Sequence, residues 1–80
     1  MNKNEIIPKT IIGFNFSNEY IIKSNNSLKL CNLINLVSFE GMFIIETAYS
    51  YKKFKDEKTA LNEFKAWVKY DNEINKAMEI

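Results

Sequence analysis

The densest gathering of groups able to do chemistry is the run Tyr49-Ser50-Tyr51-Lys52-Lys53-Phe54-Lys55, followed by Lys58. Ammonium groups interleaved with aromatic rings can neutralise phosphates while the rings stack bases, which makes the run a candidate surface for single-stranded nucleic acid. The binding residues this reading selects are Tyr49, Tyr51, Lys52, Lys53, Phe54 and Lys55. Acids dilute its field: Glu46, Asp56 and Glu57 lie close by, and residues 41–80 hold seven lysines against seven acids. A solvated strand end leading into a helix accounts for the same composition, and a basic footprint for the whole domain is missing. Nucleic acid is therefore the alternative partner and not the favoured one.

The remaining reactive inventory is thin. There is no histidine, so a general base near neutral pH would need a carboxylate or lysine with a strongly displaced pKa. All eleven basic residues are lysines, and without guanidinium forks bidentate readout of guanine or phosphate is impossible. Cys31 is the only thiol; between Leu30 and Asn32 it reads as a small buried hydrophobe, and its solitude favours a reducing compartment. Gly13 and Gly41 are too far apart to form a phosphate-cradling loop, and Asp71, Glu73 and Glu79 match no calcium loop. No catalytic, metal or cofactor-binding residue is assigned. The expectation is a protein that is not an enzyme and acts by contact.

The elements that must position such a contact surface belong to one small domain spanning 1–80, with residues 1–5 expected to fray. A composition 46% hydrophobic, with a formal charge of +1, excludes a disordered tail and a strongly basic nucleic-acid binder. Isoleucine, asparagine and lysine each occur eleven times, the mark of a low-GC genome. The most apolar stretch, Leu33 to Ala48, is broken by Asn35, Ser38, Glu40, Gly41 and Glu46, whereas a membrane span needs about twenty mostly apolar residues. The amino end carries Glu5 where a signal peptide wants an apolar run, so a cytoplasmic protein with no membrane partner is expected.

The patterning predicts an α+β fold: a small antiparallel sheet of three or four strands with a long C-terminal helix packed on one face. Lys9–Phe16 and Tyr20–Lys23 are rich in β-branched and aromatic residues and read as a hairpin over 9–24, turned at Ser17-Asn18-Glu19. Residues 28–39 fit either a second helix or a further strand. The helix would start at Ser27, stop before Gly41 and bury Leu30, Leu33, Ile34 and Val37; the strand would turn at Glu40-Gly41 into Met42–Tyr51. Met42–Tyr51 alternates cleanly, with Phe43, Ile45, Thr47, Tyr49 and Tyr51 on one face. Asp56 caps a final helix whose stripe is Ala60, Leu61, Phe64, Trp67 and Val68, continued by Ile74, Ala77 and Met78 past a break at Asp71-Asn72. Glu57, Lys58, Asn62, Glu63, Lys65 and Lys69 form its wet side.

The doublets Ile11-Ile12, Ile21-Ile22 and Ile44-Ile45 put apolar bulk on both faces of a strand, which implies a sheet covered on both sides. The final helix supplies one cover. The other must be residues 28–39 as a helix, or another protein chain. From this follows the expected function: a binding module that occupies a partner protein's surface, with a nucleic-acid-processing enzyme one candidate partner and homodimerisation an option. Size, codon bias and missing catalytic groups suit a phage or mobile-element accessory inhibitor of anti-CRISPR, antitoxin or immunity type, by analogy of type alone. Trp67 is expected in the core, and becomes the leading interface anchor if exposed.

Overall fold

A computed structural model describes the backbone of residues 6–78 and the side chains of 6–74. Residues 1–5, Glu79 and the side chains of Ala77 and Met78 lie outside that range. The chain forms β1 (Ile6–Pro8), β2 (Ile21–Ser24), β3 (Asn35–Phe39), β4 (Met42–Glu46), β5 (Ser50–Phe54) and α1 (Glu57–Met78). The strands make one antiparallel sheet in the order β1-β5-β4-β3-β2, with α1 against β3, β4 and β5. The α+β architecture is as the pattern predicts; the strand count is five instead of three or four.

The extra strand comes from splitting Met42–Tyr51. The Thr47 hydroxyl accepts bonds from the Tyr49 and Ser50 amides at 3.2 and 3.0 Å, while the Thr47 amide donates to the Ser50 carbonyl at 2.9 Å. A threonine turn thus folds the strand back on itself with neither glycine nor proline to announce it. At the other end, Glu40 and Gly41 take φ of 49° and 77°, the two-residue turn whose twist suits a right-handed hairpin. Residues 28–39 are accordingly not a helix. A single 3₁₀ turn at Leu30–Asn32 leads into β3, where Leu36 and Val37 are both fully buried on opposite faces. Only a strand between two neighbours can bury adjacent residues on both sides, and this outweighs the helix propensity of leucine.

The predicted 9–24 hairpin is replaced by a strap. Residues 9–20 leave β1 at one edge of the sheet and reach β2 at the other, crossing the face away from α1. Gly13, at φ 138°, bends the segment out of extended geometry, and its amide donates to the Ala48 carbonyl at 2.8 Å. Phe16 and Tyr20 pack edge-on against Phe39, at ring separations of 5.3 and 4.9 Å. The strap is the second cover that the isoleucine doublets require; it is neither residues 28–39 nor another chain. Only Ile44-Ile45 is buried on both sides, at 4% and 0% exposure. Ile11 and Ile12 lie exposed on the strap's outer surface, and Ile22 is exposed on the edge strand β2.

On the helix face, Ile34, Leu36, Ile45 and Phe54 pack against Ala60 and Phe64, with Phe43, Leu61, Trp67 and Val68 at the margin. Asp56 caps α1 as predicted: its Oδ2 accepts from the Thr59 amide and hydroxyl, both at 2.8 Å. The helix runs through Asp71-Asn72 without a break, because low propensity alone does not end a helix already propagating. Its 22 residues span about 33 Å at 1.5 Å each, against about 17 Å for a five-residue strand. The last turns of α1 therefore overhang the sheet, at the end where the loops 25–34 and 47–49 gather.

Candidate interaction surface

The structure does not bring the lysine–aromatic run together. Strand alternation sends Lys52 and Phe54 to the helix face and Tyr51 and Lys53 to the strap face; Tyr49 sits in the loop before β5 and Lys55 follows its end. Phe54 is core. The Lys52 ammonium donates to Glu63 Oε1 at 2.7 Å, and this bond holds the Glu63 carboxyl below its ordinary range. Glu63 is thus drawn off the wet side of the helix. Tyr51 and Lys53 line a pocket of about 280 Å³ between strap and sheet with Phe16, Phe39, Met42 and Ile44.

Among the described residues the most buried charges are Lys9 and Glu46, whose side chains are 2% and 1% exposed. The Lys9 ammonium donates to Glu46 Oε2 at 2.7 Å, to the Thr47 carbonyl at 2.7 Å and to the Gly13 carbonyl. Glu46 Oε2 also accepts from the Asn15 amide at 2.9 Å, while Oε1 has no partner among the described residues. The lysine lies 5.1 Å from the centre of the Phe14 ring and 5.7 Å from that of Tyr51. All three ammonium protons are committed and both groups are sealed from solvent, so the pair staples the strap to the sheet and offers nothing to a substrate. Nothing in the sequence separated Lys9 from the ten other lysines; its partner lies 37 positions away.

The surface suited to contact lies under the overhang of α1. An apolar groove of about 610 Å³ runs between the helix, where Trp67, Tyr70 and Ile74 line it, and the loops, where Leu33, Ile34 and Tyr49 do. Both loops are held in shape. The Asn25 side chain accepts from the Ile34 and Ser27 amides at 3.0 and 3.3 Å and donates to the Asn32 carbonyl at 2.8 Å, closing the 25–34 loop on itself. Thr47 closes the other loop and leaves Tyr49 pointing outward. Leu28 and Leu30 are exposed on the clamped loop, and Tyr49, Tyr70 and Ile74 are exposed where they line the groove. Trp67 is half-buried, with one side on the core and the other in the groove. Cys31 is exposed on the groove wall, not buried as its neighbours suggest, because the 3₁₀ turn holds it outside the sheet.

Of the predicted binding residues only Tyr49 lines this groove; Cys31, Ile74 and the conditional anchor Trp67, singled out for other reasons, line it too. The helical reading of 28–39 takes Leu33 and Ile34 as core-facing, Ile74 reads as continuing the stripe of the final helix, and Tyr70 carries no signal of its own. Among the described residues no group of three or more Cys, Asp or Glu side chains gathers to hold a metal ion, and no helix is long and apolar enough to cross a membrane. Neither a family model, nor a curated protein, nor a solved structure matches the chain.

Proposed function

We propose that this protein is a non-enzymatic binding module that occupies the surface of a partner protein through the groove beneath the overhanging end of α1. The observation that carries the reading is the convergence of exposed Tyr49, Tyr70 and Ile74, with half-buried Trp67, on one apolar groove. Single exposed apolar residues are normal, whereas a contiguous apolar patch around a groove marks an interaction site. Tyrosine and tryptophan at its centre are the residue types that dominate binding energy. Strand addition is the less suitable mode: β1 has three residues and ends in Pro8, and β2 is bulged between Ile21 and Lys23. The biological role this suits is that of a small inhibitor, antitoxin or immunity protein that acts by contact.

The test compares three immobilised proteins incubated with lysate of the source cells: wild type, the groove variant Tyr49→Asp/Tyr70→Asp, and the strap variant Ile11→Asp. All three sites are exposed, so folding is preserved and checked by circular dichroism. A protein retained by wild type and the strap variant but lost from the groove variant supports the reading. The same set retained by all three overturns it.

A further inference from the structure

We infer that the occupant of the groove is a second copy of this chain, with the two α1 helices packed antiparallel about the turn that holds Tyr70. This rests on the groove being a protein-docking site. Trp67, Tyr70 and Ile74 recur at the i, i+3, i+7 spacing of a helix–helix seam, which starts at the core margin with Trp67 and runs out along the exposed end of α1. A seam repeated on an identical helix is self-complementary, as a two-fold interface requires.

Charge decides the direction. Lys65 and Lys69 precede the Tyr70 turn, and Asp71 and Glu73 follow it. An antiparallel crossing sets Lys69 of each copy against Glu73 of the other, whereas a parallel one stacks like charge on like. At a formal charge of +1, the copies repel one another little. The exposed parts of Tyr49, Tyr70 and Ile74, with Trp67, offer on the order of 400 Å² of the roughly 800 Å² per copy that a standard interface buries.

Sedimentation equilibrium from micromolar to millimolar protein tests the proposal. The expected result is a reversible species of twice 9.4 kDa. Tyr70→Asp, folded by circular dichroism, should raise the dissociation constant roughly 30-fold or more, as loss of a hot spot does. Lys69→Glu and Glu73→Lys should each weaken the dimer a few-fold, and the double variant Lys69→Glu/Glu73→Lys should restore it. A monomer at millimolar concentration overturns the proposal, and so does a dimer indifferent to Tyr70→Asp or a double variant no tighter than the single ones. A monomer whose groove variant still loses its captured partner refutes self-association alone and leaves the docking site standing; a monomer whose groove variant loses nothing refutes both.

Discussion

Replacing Lys9 with methionine keeps the apolar stem against Phe14 and removes only the ammonium, leaving the Glu46 carboxylate buried without its cation. Stripping one partner from a buried ion pair costs about 3–5 kcal/mol, because an uncompensated charge stays in a poorly solvated site. Eighty residues at about 0.05–0.15 kcal/mol each put the whole fold near 4–12 kcal/mol, so Lys9→Met alone should remove about a quarter or more of the stability. Glu46→Gln should lose less, about 1.5–3 kcal/mol. The ammonium keeps the Thr47 and Gly13 carbonyls, and a glutamine oxygen can still accept from the Asn15 amide. The informative protein is the double variant Lys9→Met/Glu46→Gln, which contains no buried charge and should recover about 2 kcal/mol relative to Lys9→Met. Urea unfolding at pH 7, followed by Trp67 fluorescence and circular dichroism, gives all four stabilities, and equal slopes confirm a common transition. A Lys9→Met protein within about 1 kcal/mol of wild type, or a double variant no more stable than Lys9→Met, would falsify the view that this pair staples the strap.

Three smaller perturbations follow from the same structure. Glu40→Asn places a residue that tolerates positive φ beside Gly41 and should raise stability by about 0.5–1 kcal/mol, or some 4 °C in melting temperature; a lower melting temperature would refute the turn assignment. Asp56 is held below its ordinary value of 3.8, first by the Thr59 hydroxyl and then by the Thr59 amide, and Glu63 below 4.5 by the Lys52 bond. Lowered folded-state values mean that these contributions are in place above the unfolded values and disappear as pH falls through the folded ones. Stability measured from pH 6 to pH 2 should therefore decline more shallowly in Asp56→Asn and Lys52→Met than in wild type, and identical acid limbs would contradict both contacts. Binding of labelled single-stranded oligonucleotides should be weak, with Lys52→Ala and Lys53→Ala acting no differently from distant lysine substitutions; salt-sensitive binding abolished by that pair would reinstate the nucleic-acid reading.

What the sequence disclosed followed from local physics. The Asp56 cap and the 3.6-residue stripe that starts α1 depend on neighbours a turn away, and so does the alternation of Met42–Glu46; each was legible. Residues 9–16 show where local reasoning fails. Their β-branched and aromatic content is real, but the segment's partners are Ala48, Glu46 and Phe39, more than twenty positions downstream, and Gly13 lets the chain bend across the sheet to reach them. The Thr47 turn was hidden for the opposite reason: a hydroxyl accepting two amides is entirely local, yet period-two alternation continues through it unbroken. The groove was only half visible, because it forms where a helical stripe outlasts its sheet, and sheet width depends on a strand count that the alternation understates.

The isoleucine doublets show how a sound premise can be carried to the wrong surface. Apolar residues on both sides of Ile44-Ile45 did require two covers, and the chain supplies both: α1 on one face and a strap pinned by the buried Lys9–Glu46 ion pair on the other. A sheet closed by its own residues has no bare face to offer. The apolar surface left over is therefore displaced to the end of the sheet, where α1 projects and two loops are clamped by Asn25 and Thr47 instead of being left to move. Rigid loops beside an overhanging helix lose little conformational entropy when a partner docks, which is the condition under which a small contact area yields useful affinity. On that ground Asn25→Ala, which unties the 25–34 loop while leaving every apolar side chain of the groove in place, should weaken association at the groove. Calorimetry would locate the loss in the entropy, and an unchanged affinity would mean that the clamp serves the fold alone.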